Sequence, residues 1–123
     1  MAITLDGMTA SYAEAQQIDG NELLESCASS EGTMEGFCIG YIIGQIEGQR
    51  FGAFIITSRL GVAEDAPDTN GLLDSLIGYC VPYNASNAQL RDVVTKYLTD
   101  HPAVRHETAR FSVWQALTQA FPC

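Results

Sequence analysis

Lysine and arginine are scarce in this chain: six among 123 residues, against fifteen aspartates and glutamates, for a formal net charge of −9. A protein that grips nucleic acid must neutralise rows of phosphates, and this balance excludes that class of partner. Histidine is scarcer still, at two residues. The four cysteines (Cys27, Cys38, Cys80 and Cys123) show no C-x-x-C spacing. A zinc ribbon, a thioredoxin-type redox pair and a mixed metal site are therefore not expected, and no cofactor is implied. Uninterrupted apolar runs are also missing. The longest candidate is broken by Glu47 and Arg50 well short of the ~20 residues that a membrane-spanning helix requires. Nor do Met1 to Thr9 carry the basic start and apolar stretch of a signal peptide. Two readings stay open: a cytosolic chain with free thiols, or a mature form with a replaced start. An even set of cysteines suited to two disulfides, and so to an oxidising compartment, favours the second.

Catalytic patterns are equally absent. No serine or cysteine sits in a recognisable nucleophile motif. His101 and His106, beside Asp100 and Glu107, are the only acid–base candidates. Five residues apart and split by Pro102, they do not share a helix face, so a structural or surface role is expected for both. Tyr41, Tyr97 and Trp114 fall at helical spacings and read as core aromatics. No enzyme is expected.

What is present is apolar and helical. A hydrophobic content of 46% with 17% charge marks a globular chain, and 123 residues suffice for one domain. Residues 1–18 read as a weakly ordered N-terminal segment, with a poor helical pattern over Ser11–Gln17. The organising stretch is Glu35–Ile56, where glycine recurs at 36, 40, 44, 48 and 52 among ten bulky apolar residues. Spacing of four lines the glycines along one helical ridge, a shallow groove that another helix can enter. Each helical glycine costs roughly 1 kcal/mol against alanine, so the row implies a compensating close contact. The expectation is a buried central helix, with a buried strand near Ala53–Thr57 as the alternative. The row also offers a surface for helix–helix approach between two copies.

Flanking elements follow from their caps. Asp19 and Glu22 form a capping-box pattern ahead of Leu23, Leu24, Cys27 and Ala28. Ser29–Gly32 breaks that helix, and Thr33 is placed to cap the central one. This helical hairpin brings Cys27 near Cys38, which makes a local disulfide cheap in geometry. The central helix should end by Leu60–Gly61. The segment from Gly61 to Gly71, with Pro67, Asn70-Gly71 and three acids, reads as a loop, and Leu72–Ile77 as a short helical turn. Ser86 with Gln89 forms a second capping-box pattern, opening a helix whose Leu90, Val93, Val94, Tyr97 and Leu98 share one face. His101-Pro102 ends it. A last helix, with Ala109, Val113, Ala116, Leu117, Ala120 and Phe121 on one side, stops at Pro122. The short link makes these two helices antiparallel, which returns Cys123 beside Cys80 and predicts the second bridge. The fold class expected is all-α: a small disulfide-braced bundle of four to five helices around a central glycine-rich helix.

The ordered set Gly20-Asn21, Leu23-Leu24, Cys27, Cys38, Gly40-Tyr41-Ile42 and Gly44 resembles the first half of the Rap/Tai immunity proteins. Cys80, Pro82, Gln89-Leu90, Val93-Val94, Tyr97-Leu98, Pro102 and the closing Ala116-Leu117, Ala120-Phe121-Pro122-Cys123 extend the resemblance. It covers roughly residues 20–48 and 80–123. What it implies is a helical periplasmic protein, often a homodimer, that binds and blocks a peptidoglycan amidase effector of a type VI secretion system. A protruding loop then enters the toxin's active-site groove. Within the unmatched 57–79 segment, Glu64, Asp65, Asp68 and Asn70 are the candidate partner-binding residues, on physical grounds: acids and an amide on an exposed loop of a chain without catalytic groups. A different class of function, a periplasmic acid-stress chaperone, fits the acidic composition as well. A lipid carrier is disfavoured by the bulky residues around the glycine row.

Overall fold

The computed structural model describes residues 17–63 and 65–123 and places five α-helices in them. These are α1 (Gly20–Ala28), α2 (Gly32–Arg59), α3 (Thr69–Ile77), α4 (Asn87–Asp100) and α5 (Ala109–Ala120), with a short 3-10 turn at Pro102–Val104. The expected all-α bundle is present, and Ala53–Thr57 lies within α2. Among the described residues the only extended pairing is an isolated bridge between Asp19 and Thr108. The helical pattern read over Ser11–Gln17 falls almost wholly outside the described residues.

The α1 cap has the predicted form. Asp19 Oδ1 accepts from the Glu22 amide, and Glu22 Oε2 accepts from the Asp19 amide, both at 2.9 Å. Backbone bonds then tie this end of α1 to the segment before α5. The Gly20 amide donates to the Glu107 carbonyl at 3.0 Å and the Asn21 amide to that of Arg105 at 3.1 Å. Such an approach leaves no room at Gly20, where a Cβ would lie 3.0 Å from both the Arg105 carbonyl oxygen and Leu98 Cδ2. Two other caps depart from expectation. Glu31, not Thr33, precedes α2, and its side chain makes no capping bond. Ser86 accepts from the Gln89 amide at 3.1 Å, as expected, but the reciprocal bond of a full capping box is missing.

The core is built where α1, α4, α5 and the first half of α2 converge. Leu23, Cys38, Ile42, Leu90, Val94, Leu98, Val113 and Leu117 are buried together there. Both predicted disulfides brace it, Cys27–Cys38 and Cys80–Cys123, each with Cα atoms 5.0 Å apart. The second joins the end of α5 to the entrance of α4, as antiparallel helices require. Tyr41, Tyr97 and Trp114 are half-buried against this core.

The glycine row of α2 overturns the expectation of burial. The helix is central in its contacts, touching each of the other four. Yet Gly36, Gly40, Gly44 and Gly48 are exposed, and a Cβ at any of the five would meet nothing within 4 Å. The core is packed by the opposite side, through Cys38 and Ile42. Helix length bears only on Gly48 and Gly52; Gly36, Gly40 and Gly44 lie in the half that packs the core and face away from it. At ~1.5 Å per residue, the 28 residues of α2 outrun the 14 of α4 and the 12 of α5, and its second half leaves the bundle.

Candidate partner-binding arm

That second half of α2, the connection through Asp68, and α3 together form a helical hairpin standing off the bundle. Gly61, at φ 85°, starts the reversal with backbone that only glycine takes without strain. The tip is held by its own bonds: the Val62 amide donates to the Thr57 carbonyl at 3.0 Å. Thr69 Oγ1 donates to the Ala63 and Ala66 carbonyls at 3.1 and 3.0 Å. Gly78, at φ 89°, closes α3 as its left-handed C-cap.

Three contacts fasten α3 to the rest. Arg50 pairs with Asp74 and also donates through Nη2 to Asn70 Oδ1 at 3.3 Å. Leu73 is buried. Trp114 Nε1 donates to the Ile77 carbonyl at 2.8 Å, which links the base of the arm to α5. Beneath it Tyr79, absent from the expected core, is buried and donates its hydroxyl to Gln49 Oε1 at 2.6 Å. Burial pushes the Tyr79 phenol up to about 12, only partly opposed by the Arg50 charge.

The sequence-predicted residues are distributed unevenly over this arm. Asp65 and Asp68 are exposed at the tip. Asn70 is exposed too, but it lies in the first turn of α3, with its side-chain oxygen held by Arg50. Glu64 lies outside the described residues. The loop is shorter than the Gly61–Gly71 expected, because α3 begins at Thr69. What sequence reasoning missed is the apolar surface of the same arm. Phe51, Ile56, Leu60 and Leu76 are 63%, 61%, 78% and 56% exposed. The expectation of a buried central helix covers Phe51 and Ile56 and gives Leu60 and Leu76 no role; the length of α2 is the signal that part of it must project. Large apolar side chains left in water on an arm whose tip is acidic have the make-up of an interface.

Elsewhere the histidines take the structural and surface positions expected. His101 stacks on Tyr97, ring centroids 4.2 Å apart, with Nδ1 2.7 Å from the Tyr97 carbonyl oxygen. His106 is exposed. Among the described residues no group of three His, Cys, Asp or Glu side chains could hold a metal ion. No described helix is long and apolar enough to cross a membrane. The two disulfides are consistent with an extracytoplasmic chain.

No curated protein and no solved structure matches the chain. A family model described as Rap1a immunity proteins matches residues 19–123. That match takes in all five helices, both disulfides and the arm, and the chain belongs to the Rap1a immunity protein family.

Proposed function

We propose that this protein binds a peptidoglycan amidase effector of a type VI secretion system in the periplasm and inhibits it by occluding the active site with the α2–α3 arm. The carrying observation is the arm itself: Ile56, Leu60 and Leu76 exposed along its helices and Asp65 and Asp68 exposed at its tip, on a chain of an immunity family. An immunity protein neutralises an effector by binding it, and needs no catalytic group of its own. The acids, Glu64 included, speed encounter with a basic rim and fix orientation, while the apolar side chains supply most of the affinity. Asn70 acts from the base of the tip, where Arg50 holds it. Family resemblance further supports a homodimer as the working form.

The test is co-purification with amidase effectors encoded beside this gene, followed by size-exclusion chromatography with mass detection and a peptidoglycan-cleavage assay. A stable complex with cleavage abolished is the expected result. Failure to form a complex with any of them would overturn the effector assignment. Unchanged binding after alanine replacement of Glu64, Asp65, Asp68 and Asn70 together would remove those residues from the interface.

A further inference from the structure

α3 is too short to sustain itself as a helix. Isolated helices under ~12–15 residues are marginal in water, and α3 has nine, with Gly71 among them and no side-chain bond at its Asp68 cap. Leu73 is its one buried residue. At the far end Trp114 Nε1 holds the Ile77 carbonyl. Nearer the tip, α3 is held by Arg50 of α2. One nitrogen of the guanidinium pairs with Asp74, and the other, Nη2, donates to Asn70 Oδ1 at 3.3 Å. Asn70 and Asp74 are four positions apart, so they stand on one face of α3 a turn from each other. A planar fork can span the two, where the single ammonium of a lysine would reach one or the other. Arg50 and Asp74 are both half-buried, which spares the pair some of the screening that makes exposed bridges weak.

The same contact fixes the Asn70 amide. A guanidinium carries donors only, so the atom it holds is the oxygen. Asn70 is exposed, and with Oδ1 turned to Arg50 what it offers an approaching partner is the donor pair of Nδ2. We propose that Arg50 is the positioning residue for effector inhibition, holding α3 against α2 and turning Asn70 so that its Nδ2 donates to an acceptor oxygen of the effector.

This inference rests on the reading of the arm as the inhibitory element and adds the chemistry of one contact to it. With α3 undocked, Asn70 and Leu76 lose their fixed placement. The apparent affinity then falls with the fraction of molecules left competent to bind. Docking that depends on one buried side chain and one guanidinium is close enough to balance for the loss of Arg50 to be felt.

The experiment joins hydrogen–deuterium exchange of the free chain to surface plasmon resonance on the co-purified amidase effector. Arg50→Ala should speed exchange in α3 by about tenfold or more, as the loss of bonds to a charged group does, with α1, α4 and α5 unchanged. Binding should weaken with it. Arg50→Lys should resemble Arg50→Ala more than the native chain. Arg50→Asp/Asp74→Arg keeps the net charge and re-forms the pair, so it should recover most of the α3 protection. Asn70→Asp keeps an oxygen for Arg50 but removes the donor. In that variant α3 should stay as protected as in the native chain while the complex weakens about tenfold. Steering alone predicts the opposite, since an added acid quickens encounter with a basic rim. Unchanged α3 exchange in Arg50→Ala would overturn the positioning role, and so would a loosened α3 that binds as tightly as before. An Asn70→Asp variant that binds as well as the native chain would overturn the donor assignment. Each of these results leaves the effector reading standing; a native chain that forms no complex overturns both.

Discussion

Glycine plays opposite parts at two places in this protein, and alanine scanning separates them. At Gly20 a Cβ would press on the Arg105 carbonyl oxygen and Leu98 Cδ2 at 3.0 Å, where backbone bonds hold both strands of the contact. Gly20→Ala should destabilise the fold by about 1–3 kcal/mol, the usual range for overpacking. At Gly36 the space is open within the chain, so Gly36→Ala should stabilise α2 by roughly 0.5–1 kcal/mol through helix propensity. Thermal unfolding at a concentration where the chain is monomeric reads both, and equal signs would refute the contrast. Tyr79 supplies a second prediction. Its folded-state phenol titrates near 12, above the ordinary value near 10. Between those values the unfolded chain has lost the proton that the native chain retains, so stability present below pH 10 is lost as pH rises toward 12. Tyr79→Phe should flatten that limb of the denaturant-unfolding profile, at a cost of ~1 kcal/mol for the lost bond to Gln49. A limb as steep as in the parent would assign it to other groups.

The helices themselves were readable to different depths. Asp19 and Glu22 announce α1, and the spacing of Leu90, Val94 and Leu98 announces the buried face of α4, because caps and periodicity act locally. Hairpin logic then paired the cysteines. The two bridges should differ in weight: they close loops of 11 and 43 residues, which the chain-entropy model converts to about 3 and about 4 kcal/mol. The double variant Cys80→Ala/Cys123→Ala should therefore unfold more readily than Cys27→Ala/Cys38→Ala, by ~1 kcal/mol on that model; the reverse order in denaturant titrations would sink the entropic account. The orientation of the glycine row was not readable. Four-residue spacing says which residues share a ridge, and an uncharged ridge looks the same whether it faces a core or another molecule. The site was legible in part: Pro67 and the nearby acids marked the reversal, and Asp65 and Asp68 are at its tip. The bond between Asn70 and Arg50 spans 20 residues of sequence, beyond any local signal. Thr69, Asn70 and Gly71, read as loop, begin α3 because turn-forming residues are tolerated in a first helical turn.

Taken as one body, the molecule divides its labour between a braced bundle and a projecting arm. The core and both disulfides lie in the bundle, while Ile56, Leu60 and Leu76, among the large apolar residues left exposed, lie on the arm, others such as Tyr83 and Phe111 being on the bundle. That separation lets the arm be altered without unfolding the rest, and it makes the proposed binding divisible into two contributions. Asp65→Ala/Asp68→Ala removes exposed charge. Its main effect should be a slower association with the effector and a weaker dependence of that rate on salt, with dissociation little changed. Ile56→Asp/Leu60→Asp should act the other way. Burying carboxylates where apolar anchors belong should speed dissociation, weakening the complex by at least ~2 kcal/mol, or roughly thirtyfold. Surface plasmon resonance at low and high salt reads both rates on the same immobilised effector. Circular dichroism and a thiol count establish that each variant retains its helices and both bridges. If the two double variants instead change the same rate constant in the same proportion, acids and apolar residues are not acting as steering and anchoring groups. If neither changes either rate, the arm is not the effector-binding surface, and the bundle is where the interface must be sought.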